Sequence, residues 1–145
     1  LIGMLLDDVT ATPFAAPFIE GARVEAARHG VMVSMVCTGA DGATEDAALQ
    51  MFQAAGAIGV IYASLTTRLV TPPAHGWRDG FRVAKPDAVE YSWWSQRGGA
   101  RANNVGWRID YQLVTPALAE RIRGATIFPE PKFSDHAPCL VEYAE

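Results

Sequence analysis

Arg97, Arg101 and Arg108 fall within one stretch, YSWWSQRGGARANNVGWRIDY, that holds no acidic side chain until Asp110. Aromatics, Trp93, Trp94, Trp107 and Tyr111 among them, are interleaved with them. Guanidinium groups pair with phosphate oxygens in a planar fork, and rings on a glycine-flexed loop can stack on bases or wedge into a base step. The pattern therefore suits a nucleic-acid backbone. The same residues also describe core tryptophans beneath a solvated arginine loop. Ser134-Asp135-His136 is a second candidate, although by residue type alone it reads better as a turn aspartate beside a surface histidine. Cys37 and Cys139 have neither a CxxC nor a metal-ligand spacing and read as reduced, buried thiols of a cytoplasmic protein.

The elements that must position these residues divide the chain in two. Its 145 residues, 50% hydrophobic and 19% charged, fit a globular domain with no apolar run able to span a bilayer. The chain starts at Leu1 with no signal-peptide pattern, which reads as a processed or trimmed start. Residues 1–73 hold three basic and seven acidic side chains, whereas residues 74–145 hold nine of each and all four tryptophans. Thr71-Pro72-Pro73 marks the change, since two prolines stop a helix or strand.

In the first part, the apolar runs Leu1–Leu6, Val31–Cys37 and Ala57–Ala63 predict strands buried on both faces. Thr12-Pro13 opens one helix that Gly30 closes, and a second is expected from Thr44 to Ala55. In the second part, FRVA, YSWW, VGWRIDYQLV, ATIF and PCLVEY predict strands, and Thr115-Pro116 followed by ALAERIR predicts one short helix. The fold class expected is α/β, with an N-terminal β-α-β-α-β parallel unit joined to a C-terminal mixed sheet carrying one short helix.

LIGMLLDD, TPFAAPFIEGARVEAARHG, CTGADG and GVIYAS together resemble the start of the lac-repressor-like, periplasmic-binding-protein-like sugar-binding domain. That resemblance covers residues 1–73 and implies a small sugar ligand near Asp8, Phe14, Thr38 and Ser64. The same four residues also read as a loop acid, a core-facing helix residue and two strand-end hydroxyls that satisfy backbone groups. The family's DNA-reading helix-turn-helix and its second lobe have no counterpart here.

GWRDGFR, YSWWSQRGGARANNVGWRIDYQLV and SDHAP resemble consecutive blocks of the exonuclease III and abasic-site endonuclease family, over about residues 75–145. The resemblance implies half of an α/β-sandwich nuclease acting on DNA with an abasic site or a 3′ end. It implies that Trp93 and Arg97, with Arg101 on the same loop, contact DNA, that Asp110 orients a histidine, and that Asp135 and His136 meet the scissile phosphate. Asp135 would help hold Mg²⁺ or Mn²⁺, hard cations that relieve phosphate charge and position water. The family's first half supplies an asparagine, a metal-binding glutamate, a tyrosine and a DxN pair, and none of these motifs stands in residues 1–73. The expectation is a hybrid with weak or no hydrolysis. Its alternatives are a sugar-binding lobe and a chimera without selected function.

Overall fold

The computed structural model describes residues 1–7, 15–63, 76–132 and 134–145. It divides into two compact units, Leu1–Thr66 and Thr67–Glu145. Asp8, Phe14, Ser64 and the Thr71–Pro73 boundary lie outside the described residues.

The first unit alternates strand and helix: β1 (Ile2–Leu6), α1 (Ala15–Arg28), β2 (Val33–Cys37), α2 (Gly42–Ala54) and β3 (Gly59–Ala63). β1 lies between the other two strands and runs parallel to both, with Ile2 opposite Val33 on one side and Gly59 on the other. The neighbours pair both edges of β1, and Met4, Leu5 and Leu6 are buried in succession, as in a parallel strand covered on both faces. α2 docks through Ala48, Leu49 and Phe52. Gly3 makes that docking possible, because a Cβ there would stand 2.6 Å from the Phe52 ring.

The helix starts at Gly42, ahead of the expected Thr44, because Asp41 is its cap and accepts from the Thr44 amide at 2.8 Å. Cys37 is exposed on β2, so the expectation of two buried thiols fails there. Cys139 is half-buried, and burial pushes its thiol up to about 11.

The second unit contains β4 (Arg78–Asp79), α3 (Gly80–Ala84), β5 (Asp110–Val114), α4 (Pro116–Ala119), β6 (Ile122–Ile127) and β7 (Cys139–Tyr143). β4 pairs antiparallel with β5, placing Asp79 opposite Leu113, and β6 pairs antiparallel with β7, placing Ile127 opposite Cys139. Phe81, Trp94, Ala125, Ile127, Ala137 and Val141 form the core.

Two short helices replace the one expected. FRVA is helical, because Asp79 caps it by accepting from the Arg82 amide and because Phe81 turns inward while Val83 stays 39% exposed, which a strand alternation would not allow. α4 keeps its Thr115 cap and Pro116 but stops at Ala119, since Ile122 already pairs with Tyr143 in β6. Gly124 is thus no helix stop. It lies in the irregular part of the β6–β7 ladder, with Glu142 against the space its side chain would fill. No helix among the described residues is long and apolar enough to cross a membrane.

Candidate active site

The chemical residues of the second unit are carried on three short segments laid side by side. Trp93 bridges antiparallel to Trp107 on one side and to His136 on the other. The backbone bonds follow that order: Trp93 N donates to Trp107 O at 2.9 Å, Trp107 N to Trp93 O at 2.8 Å, and Trp94 N to Asp135 O at 3.2 Å. Gly106 brings the segments together, as a Cβ there would stand 2.5 Å from the Trp93 carbonyl oxygen. One outer segment runs into Asp110 at the start of β5, and the other carries Asp135 and His136.

Asp110 and His136 therefore meet although 26 positions separate them. His136 Nδ1 lies 3.0 and 3.1 Å from the two carboxylate oxygens of Asp110. An ionised carboxylate only accepts, so Nδ1 carries the proton and Nε2 is left for other work. Burial by itself would lower the His136 pKa from its ordinary 6.5, but the hydrogen bond and charge of Asp110, with the charge of Asp135, outweigh it and raise the value. The ring sits part-way to solvent, 38% exposed, where an incoming group can reach it.

Asp135 is anchored by a different contact, with Trp93 Nε1 donating to its Oδ2 at 3.0 Å. The turn before the histidine is closed by Ser134, whose Oγ accepts from the His136 amide at 2.9 Å.

The arginines separate into different roles. Arg101 donates to the Ser134 carbonyl at 3.1 Å and to the Pro129 carbonyl, and its guanidinium carbon lies 4.6 Å from the centre of the Trp94 ring. It ties the loop to the Asp135–His136 turn. Arg108 pairs at 2.5 Å with Asp79 and lies over Phe81 and Tyr111, with both partners of the ion pair almost fully buried. Arg97 is exposed on the outer loop, and its side chain makes no hydrogen bond or ion pair among the described residues. Trp94 is a core residue, whereas Trp107 is 45% exposed beside the site. A pocket of about 200 Å³ opens against Asp135, with Arg101 in its wall and Lys132 at its edge.

Among the described residues no three His, Cys, Asp or Glu side chains come together as a metal site. Asp135 can give a cation one carboxylate ligand, while both oxygens of Asp110 are turned to His136. A hard cation takes about six oxygen ligands, so these residues alone do not make a complete site.

A sequence model of the endonuclease/exonuclease/phosphatase family matches residues 41–136, more than half of the chain. The chain belongs to that family. The match starts at Asp41, well before the boundary expected at 73. The exodeoxyribonuclease of Bacillus subtilis is 50% identical over 64 residues, which is 43% of this chain and 25% of that protein. The chain thus spans about a quarter of that relative's length.

Among solved structures, the Xenopus laevis APE2 catalytic domain is similar with a TM-score of 0.54 and 22% identity, over 70% of this chain and 43% of that one. The 3′ phosphatase NExo from Neisseria, bound to product DNA hairpin, is similar with a TM-score of 0.52 and 22% identity, over 71% of this chain and 54% of that one. These two likenesses concern the fold.

The three-segment ladder thus brings Trp93, Asp110, Asp135 and His136 together, with Arg101 bracing the Asp135–His136 turn and Arg97 left outward. The capping role of Ser134 and the place of Lys132 at the pocket were not read from the sequence. Ser134 had a local signal, a serine two residues before the amide it caps. Lys132 is recognised only by its place at the pocket. Thr38 is buried in the first unit, and its hydroxyl donates to the Leu6 carbonyl at 3.4 Å.

Proposed function

We propose that this chain carries the phosphate-handling part of a DNA phosphodiesterase of the exonuclease III and abasic-site endonuclease type. The observation that carries the reading is the Asp110–His136 pair at 3.0 Å, held beside Asp135 on the three-segment ladder. The carboxylate fixes the imidazole with Nδ1 protonated and favours the imidazolium, whose Nε2–H can donate to a phosphate oxygen as charge develops there. Trp93 steadies Asp135, and Arg101 steadies the turn that carries both residues. Arg97 and the exposed edge of Trp107 face a nucleic-acid strand, one by charge and one by stacking.

A Mg²⁺ or Mn²⁺ ion would supply charge relief and a positioned water in such chemistry. Asp135 would be one of its ligands. The remaining ligands are not gathered among the described residues, so hydrolysis by these residues alone is expected to be weak or absent.

The sugar-binding reading of residues 1–73 draws less support. Thr38, the one member of its ligand set among the described residues, spends its hydroxyl on a backbone carbonyl. The family match also extends back to residue 41.

The test is cleavage of a duplex holding one abasic site, with Mg²⁺ or Mn²⁺, by the intact chain and by His136→Ala. Cleavage near background in both is expected. Robust cleavage abolished in the variant would show that this chain completes the site and would overturn the expectation of weak hydrolysis. Robust cleavage unchanged in the variant would remove His136 from the chemistry.

A further inference from the structure

Ser92 is fully buried, and its hydrogen bonds run to the segments that carry Asp110 and His136. Its Oγ accepts from the amides of Ile109 at 3.1 Å and Asp110 at 3.3 Å. Its own carbonyl accepts from the Ala137 amide at 2.7 Å, and its amide donates to Trp107 O at 2.9 Å. We propose that Ser92 is the positioning residue of the Asp110–His136 pair, holding the aspartate's segment with its hydroxyl and the histidine's segment with its carbonyl.

The physical case rests on where regular pairing ends. Trp93 and Trp107 exchange ladder bonds, but the chain then moves out of register toward β5, so the amides of Ile109 and Asp110 take a side-chain oxygen in place of a backbone partner. Buried amides need an acceptor, and an unsatisfied one drives local rearrangement. Without the hydroxyl, the start of β5 would shift to find other partners, and the Asp110 carboxylate would move with it. A bond between two side chains at 3.0 Å tolerates little such motion.

The inference rests on the reading of Asp110–His136 as the phosphate-handling pair. Its test needs no DNA, so failure of that reading and failure of this one are distinguishable. The probe is the tautomer of neutral His136, read from long-range nitrogen–proton spectra of its imidazole. A free imidazole favours Nε2–H, whereas the carboxylate at Nδ1 imposes Nδ1–H.

The intact chain is expected to show Nδ1–H. Ser92→Ala is expected to move the ring toward Nε2–H and to speed amide exchange at Ile109 and Asp110 by about tenfold or more. Ser92→Thr, which keeps the hydroxyl, is expected to retain Nδ1–H. Val141→Ala serves as a control that weakens the same core without touching the network. Retention of Nδ1–H in Ser92→Ala, its equal loss in Val141→Ala, or its absence from the intact chain would each overturn the proposal. Should Ser92→Ala not fold, exchange in the unaltered chain decides: the amides of Asp110 and Ala137 must open at one common rate, and unrelated rates overturn it.

Discussion

His136 shows how one carboxylate reverses what burial would do to an imidazole. Burial opposes the charged ring, and the bond and charge of Asp110 with the charge of Asp135 more than compensate. A histidine whose folded pKa is raised stabilises the fold fully below the unfolded value and loses that contribution as pH rises through the folded value. The advantage of the intact chain over Asp110→Asn should therefore shrink from about pH 5.5 to about pH 8.5, by no more than about 1 kcal/mol because the pair is partly solvated. Urea unfolding at both pH values measures it, and an advantage that grows with pH would contradict the assignment. Asp110 and His136 could be singled out because they stand in the distinctive strings RIDY and SDH. Arg101 and Ser92 were not legible in their roles. Their partners lie far along the chain, Ser134 for one and Ile109 and Asp110 for the other, and only the folded ladder brings them within reach.

At the level of elements, local signals held where they agreed with pairing and failed where pairing overrode them. The runs IGMLL and GVIYA are strands because each is continuous, apolar and bounded by turn residues. ALAERIR has good helix propensity, yet its last residues join β6, where Ala125 and Ile127 reach the core. FRVA is too short for its period to decide, and Asp79 settles it. One carboxylate oxygen of Asp79 caps α3 and the other pairs with Arg108, whose Nε and second amino group have no hydrogen-bond partner among the described residues. Asp79→Ala removes a cap and strands a buried guanidinium, so a loss of about 3–5 kcal/mol is expected. Chemical denaturation measures it, and a loss under about 1 kcal/mol would mean that Arg108 finds another partner or water.

Over the whole molecule, the sequence divides by charge and tryptophan content near residue 73, and the structure forms two compact units, Leu1–Thr66 and Thr67–Glu145. The family match does not respect that division, because it begins at Asp41 within α2's cap. The chain covers a quarter of the Bacillus subtilis exodeoxyribonuclease, and the described residues of the candidate site all lie in the second unit. Net charge, −4 for the chain, says little about binding DNA because the excess acid lies in residues 1–73. What would matter for the proposed DNA contact is the exposed surface of the second unit, which carries Arg97 and part of Trp107.

The most direct test of that contact is the affinity of the intact chain for a duplex with one abasic site, measured by fluorescence anisotropy across a salt series. Binding should weaken steadily as salt rises. Arg97→Ala should lower affinity and reduce the log–log salt slope by about one, as expected for loss of one phosphate contact. Affinity and slope unchanged by that substitution, or no binding even at low salt, would contradict the account.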